Sequence, residues 1–146
     1  TGTFIAGLLD SAGFALQFLP VVIFIASAFI GFAMGTSWGT IALVIPIVIG
    51  VFTPESPLYL LTIGATLAGA VYGDHISPIS DTTILSSAGA SCNHLALPYA
   101  SLVAGICLVG YLVAGLSLSP WPWLIGGVAL ILLFIGGLVV KNRPSE

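Results

Sequence analysis

The sequence predicts an all-α polytopic membrane protein, and three observations carry that reading. Of 146 residues, 58% are hydrophobic and 5% are charged, against about 25% charged in an ordinary soluble domain. The apolar residues gather into runs near the roughly 18 to 20 needed to cross a bilayer. Two of those runs are interrupted by strings rich in Gly, Ser, Thr and Pro, which points to broken helices rather than plain spans. The same arithmetic removes other classes. With 2 Lys+Arg against 5 Asp+Glu, and Lys141 and Arg143 the basic residues, no basic stripe exists to neutralise phosphates, so nucleic acid is excluded as a partner. Two cysteines, Cys92 and Cys107, are too few for a disulfide framework or a cysteine metal quartet.

Taken in order, the chain opens on Thr1-Gly2-Thr3-Phe4, with no initiator Met and no positive n-region. Residues 1–146 are therefore expected to be a piece of a longer chain that holds half of a site, with a partner half elsewhere in that chain. Residues 1 to 15 form a lead spotted with Asp10 and Gly13. Residues 17 to 34 are apolar, Gly35-Thr36-Ser37-Trp38-Gly39-Thr40 interrupts, and an apolar arm resumes over 41 to 52. That second arm, about 18 Å long, cannot span a ~30 Å core alone. The block 17–52 is predicted to be a re-entrant hairpin or a broken helix.

Thr53-Pro54-Glu55-Ser56-Pro57 reads as a turn exposed to water. Residues 57–92 would measure about 54 Å as one helix, so a helix broken at depth is expected, with the break at the polar string from Asp74 to Thr83. Residues 97–116 and 123–140 are predicted as ordinary spans joined by Ser117-Leu118-Ser119-Pro120-Trp121-Pro122. Tyr59, Tyr99, Trp121 and Trp123 sit at predicted ends, where amphipathic rings belong at the headgroup level. Lys141 and Arg143 after the last span place the C-terminus in the cytoplasm. The lipid bilayer of the cell membrane is the expected surrounding, with a homo-oligomer left open.

Non-helical backbone at membrane depth survives where it is buried in protein or lines a cavity, and broken helices are how secondary transporters expose carbonyls and helix ends to an ion. Asp74 and Asp81 carry this reading. An ionised carboxylate is costly in hydrocarbon, and no Lys or Arg lies near either in sequence, so protons, cations or a base from elsewhere must neutralise them. Alkali cations want oxygen ligands, which the two carboxylates, Ser77, Ser80, Thr82, Thr83 and freed carbonyls supply. Desolvation favours the neutral form of a carboxylate, so one group can exchange a proton for a cation. Asp81 has a structural alternative as the N-cap of a half-helix beginning at Thr82. His75 is read either as a second proton acceptor or as the residue holding Asp74 in place. His94 reads as an interfacial polar residue, and Asp10 as an approach to the site or a solvated connector.

The string Gly35 to Thr40, together with Gly73-Asp74-His75-Ile76-Ser77-Pro78-Ile79-Ser80-Asp81-Thr82-Thr83-Ile84-Leu85-Ser86-Ser87, resembles the signature motifs of the NhaC-type sodium/proton antiporter family. The resemblance runs from about residue 15 to residue 116 and corresponds to the C-terminal part of a family member, which implies that residues 1–146 are the C-terminal transmembrane half of a transporter, with the N-terminal half of the same chain as partner. It implies a transporter of the ion-transporter superfamily, built from inverted repeats that each hold a re-entrant hairpin and a broken helix. The hairpin would be 17–52 with its tip at 35–40, and the broken helix 57–92. Transported sodium and protons are implied as ligands, with no resident cofactor. The family also includes ion-coupled exchangers of malate for lactate, and the motifs do not separate the two activities. One departure is visible, since Leu95-Ala96 alone joins His94 to Leu97-Pro98-Tyr99-Ala100, a shorter link than the family's.

Two rivals are weighed beside transport. Gly35-Thr36-Ser37-Trp38-Gly39 matches G-x-S-x-G, which would make Ser37 the nucleophile of an intramembrane serine hydrolase with His75 or His94 as base. That motif belongs on a strand-to-helix elbow, and no strand signal precedes it. An assembly subunit without transport leaves two intramembrane acids unexplained.

Overall fold

The computed structural model describes residues 16–90, 96–118, 121 and 126–128, and among them every regular element is a helix. A 3₁₀ turn, Leu16–Phe18, leads into α1, Leu19–Met34, with Pro20 in the first turn, where its missing N–H breaks no helical bond. Gly35 ends α1 in the left-handed region at φ 65°, its amide donating to the Gly31 carbonyl at 2.9 Å. Thr36 is extended, and α2 follows at once over Ser37–Val51. Ser56 opens α3, Pro57–Ile76, by accepting from the Leu58 amide, with Pro57 again in the first turn. Helix α3 stops one residue before Ser77-Pro78-Ile79-Ser80, α4 covers Asp81–Ala90, and α5 covers Ala96–Ser117.

Helices α1 and α2 fold back on one another. Leu19, at the start of α1, shares a buried cluster with Val44, Val48 and Phe52, at the end of α2. Leu19 and Ile23 line a small cavity with Ile47, Val48, Val51, Phe52 and Thr62. A helix merely kinked at Gly35 would hold those two ends far apart.

The most extensive packing is between α1 and α3, which run parallel at a constant offset. Gly69 lies against the Phe24 carbonyl and Gly73 against the Ala28 carbonyl, while the Ser77 hydroxyl donates to the Phe32 carbonyl 45 residues away. The approach needs small residues because both partners present backbone. A Cβ added at Gly31 would stand 2.7 Å from the Ala70 carbonyl oxygen. Such stripes of small residues are how helices associate in lipid, where apolar surface gives no drive of its own. Helix α5 runs antiparallel to α3, with Tyr72 Oη 3.4 Å from Ser101 Oγ and Tyr111 against Gly64. Phe24 joins the three helices, its ring stacked on Tyr72 at 6.4 Å and tilted on Tyr111 at 5.7 Å.

The outward surface is apolar. Phe29 and Leu60 are about three-quarters exposed, at 73% and 75%, while the buried set includes Ser27, Thr40, Thr62, Thr66, Asp74, Ser77 and Ser80. Leu16–Met34 and Leu97–Ser117 are each long and apolar enough to cross a membrane. The break in 57–92 falls later than a half-helix would put it. With no breaker before Pro78, the first arm reaches 20 residues, about 30 Å. Tyr72 pairs with Ser101 near the start of α5, so Asp74 lies toward that end of the bundle rather than at its middle. Asp10, Cys92, His94, Trp123 and nearly all of the span 123–140 lie outside the described residues, as do Lys141 and Arg143.

Candidate functional site

The parallel register of α1 and α3 brings the two interruptions to one level. Gly35 at the hairpin turn lies against Ile79 in the second break, where an added Cβ would stand 2.8 Å from Ile79 Cγ1. One turn earlier the Ser77 hydroxyl donates to Phe32 at 2.8 Å, tying the second break to the end of α1.

Asp74 sits in the last turn of α3 and is 4% exposed. Its Oδ1 is buried without a hydrogen-bond partner. The site is chemically unusual on two counts. A carboxylate in the final turn of a helix faces the negative end of the helix dipole, and one oxygen of this one, Oδ1, is buried without a hydrogen bond. A cation or a proton would supply what the surrounding helices do not.

The hydroxyls around the break are engaged with backbone and with one another. Thr83 Oγ1 donates to the His75 carbonyl at 3.2 Å and reaches the Asp74 carbonyl at 3.4 Å, so a residue of α4 covers the open carbonyl end of α3. Ser80 Oγ lies 2.8 Å from Thr82 Oγ1, and Ser77 Oγ also accepts from the Ile79 amide at 3.4 Å. Each such oxygen keeps a lone pair free for a further ligand.

Asp81 is placed differently from Asp74. It is exposed, stands in the first turn of α4, and accepts from the neighbouring Thr82 amide at 2.8 Å. The cap position falls to Ser80, whose carbonyl accepts the Ile84 amide at 2.9 Å, so Asp81 complements the positive helix end from inside the first turn. His75 is exposed, and its Nδ1 lies 2.8 Å from the Val71 carbonyl, so that nitrogen carries the proton in this bond. At the hairpin turn, Thr40 is fully buried and donates to the Thr36 carbonyl at 2.9 Å. Gly39 packs beside Thr36 and Met34, Ser37 is half-buried, and Trp38 is 78% exposed. The turn meets the second break through Gly35 and Phe32. Ser37 follows a helix and a left-handed glycine, so the strand-to-helix elbow that a hydrolase serine needs does not form around it.

Sequence reasoning missed Ser27, which is fully buried on α1, and the buried hydroxyls Thr62 and Thr66 on the Asp74 stripe of α3. Both had a signal. Ser27 is the sole hydroxyl in Leu19–Met34, and Thr62, Thr66, Ala70 and Asp74 recur every four residues. Among the described residues, no three of His, Cys, Asp and Glu gather into a metal site. The break therefore offers one buried carboxylate among hydroxyls and carbonyls.

Apolar helices that pack through glycine around a buried carboxylate, where the turn after α1 meets the break after α3, define the class of helical membrane proteins with a polar site inside the bundle. More particularly, the chain belongs to the Na+/H+ antiporter family, whose model matches residues 1–116. It is 46% identical over 125 residues to an uncharacterized protein of Haemophilus influenzae, covering 82% of this chain and 24% of that protein. An uncharacterized Na(+)/H(+) antiporter of the same organism is 36% identical over 106 residues, covering 69% of this chain and 23% of the relative. The malate-2H(+)/Na(+)-lactate antiporter of Bacillus subtilis is 31% identical over 133 residues, covering 86% and 28%. The chain thus spans about a quarter of the length of these relatives. No solved structure matches it.

Proposed function

We propose that this chain forms part of a secondary transporter exchanging sodium for protons, with Asp74 as the carboxylate that binds each in turn. The observation that carries the reading is the unpartnered, buried Oδ1 of Asp74 beside the junction of the two interruptions. A desolvated carboxylate is stable when neutralised, and a proton and a sodium ion each do so, but not both at once. Mutual exclusion at one group is the minimal chemistry of antiport. Ser77, Ser80, Thr82, Thr83 and the freed carbonyls of α3 are the proposed neutral ligands or cavity lining, Asp81 a second carboxylate at the mouth, and His75 an exposed proton acceptor near it. The turn from Gly35 to Thr40 closes the opposite side. The cell membrane, a cytoplasmic C-terminus and an inverted repeat of this unit elsewhere in the transporter belong to the same reading.

The relative named for malate, protons, sodium and lactate supports a second reading, in which an organic acid travels with the ions. Proteoliposomes holding the whole transporter separate the two. On the first reading a sodium gradient alone drives proton movement, and adding malate and lactate on opposite sides leaves the rate unchanged. Proton movement that requires the organic acids would transfer the assignment to the second.

The hairpin is proposed to be re-entrant. Helix α2 rises about 22 Å over its 15 residues, less than the ~30 Å hydrocarbon core, so the arm does not reach from face to face. In a cysteine-free background, single cysteines replacing Ser11 and Glu55 should then react with an impermeant maleimide from the same side of the membrane. Labelling from opposite sides would mean that residues 17–52 cross as a broken helix.

A further inference from the structure

Ser27 lies outside both interruptions, yet it shares the property that singles out Asp74. Its hydroxyl is fully buried and unpartnered, and Ser27 Oγ and Asp74 Oδ1 are the two such side-chain atoms among the described residues. A buried polar atom without a partner calls for an explanation, and a bound water or ion is one that supplies the missing interaction. Ser27 also forgoes a local remedy that its neighbours take. Thr40, Thr62 and Thr66 each donate to the carbonyl four residues back, whereas Ser27 makes no such bond to Ile23.

The packing of α1 on α3 relates the two atoms. Ser27 and Gly31 occupy successive turns on one face of α1, and Ala70 and Asp74 do so on α3. A Cβ built on Gly31 would lie 2.7 Å from the Ala70 carbonyl oxygen and 3.3 Å from the Asp74 amide, and one built on Gly69 would lie 3.0 Å from Ser27 Cβ. Asp74 thus stands one turn beyond Ala70 on the stripe of α3 that meets α1 at Gly31. Gly31, lacking a side chain, lets the two backbones meet between these turns.

We propose that Ser27 is a further sodium ligand, its hydroxyl oxygen the neutral pole and Asp74 Oδ1 the charged pole of one site at the α1–α3 interface. An anionic and a neutral oxygen together suit a hard alkali cation. The proposal rests on the reading of Asp74 as the sodium carrier, so its test carries Asp74→Asn alongside.

Two quantities are measured on the purified whole transporter: the sodium concentration for half-maximal thermal stabilisation, and that for half-maximal exchange in vesicles. Ser27→Ala should raise both by about tenfold, with thermal stability in the absence of sodium unchanged or higher, since an unpaired buried hydroxyl has gone. Ser27→Cys keeps the size of the side chain but presents sulfur, a poor alkali ligand, and should behave alike; it serves if the alanine variant fails to accumulate. Wild-type sodium dependence in the Ser27 variants, with Asp74→Asn insensitive to sodium, would overturn the role of Ser27 and leave Asp74 standing. An Asp74→Asn protein that still responds to sodium as the wild type does would overturn both.

Discussion

Asp74→Asn should abolish sodium/proton exchange while leaving the protein abundant in the membrane. Asparagine keeps nearly the same shape in a space where Asp74 is 4% exposed, but it can neither release a proton nor carry the charge that attracts sodium. Losing one partner of a desolvated charge pair costs about 3 to 5 kcal/mol, which corresponds to at least a hundredfold weaker sodium binding. Removing a carboxylate without hydrogen-bond partners on Oδ1 should also leave thermal stability without sodium equal or raised. Exchange at the wild-type rate would refute the assignment. Asp81→Asn makes the contrast informative, because asparagine can still accept from the Thr82 amide at the start of α4. Exchange is expected to survive there, and its loss in a folded protein would move Asp81 from the helix end into the coordination sphere.

Gly73→Ala should give the largest loss of stability for a single methyl group. Its Cβ would meet the backbone carbonyl of Ala28 and stand 2.7 Å from the Phe32 amide, and neither atom belongs to a side chain that can rotate away. Helices α1 and α3 must therefore separate, at a cost of about 1 to 3 kcal/mol for overpacking of this kind. Asp74 is the next residue, so exchange should fall along with the melting temperature. Gly105→Ala is the control, because on α5 an added Cβ meets nothing within 4 Å. That change should stay within about 0.5 kcal/mol of the wild type. Equal melting temperatures for the two variants would mean that the α1–α3 contact at Gly73 has room for a methyl group.

Much of the architecture was legible because its punctuation is local. Gly35 supplies the left-handed residue that ends α1, Ser56-Pro57 starts α3, and Pro78 ends it, each by backbone chemistry that acts within a few residues. The buried acid could be read as well, since a carboxylate in an apolar stretch without a nearby base is conspicuous in any arrangement. What remained hidden was pairing. Nothing in the residues from Thr36 to Thr40 announces that the contact between the interruptions would be made by Gly35 on Ile79 and by Ser77 on the Phe32 carbonyl. The separate fates of Asp74 and Asp81, one buried and one exposed, also depend on which helix covers which side of the break.

The sequence by itself determined that this is a helical membrane protein, that its helices break near Gly35 and within the string from Asp74 to Thr83, and that Asp74 and Asp81 are the acids at the second break. Only the tertiary structure decided that α1 lies parallel to α3, that the hairpin turn and the second break share a level, and that Ser27 Oγ and Asp74 Oδ1 are buried without hydrogen-bond partners. The physical reason lies in the solvent. In water, a helix must bury its apolar stripe, so its packing face is written into the periodicity of the sequence. In a bilayer the outward side is apolar too, as Phe29 and Leu60 show here, and the packing face is chosen by shape, through glycines that let two backbones touch.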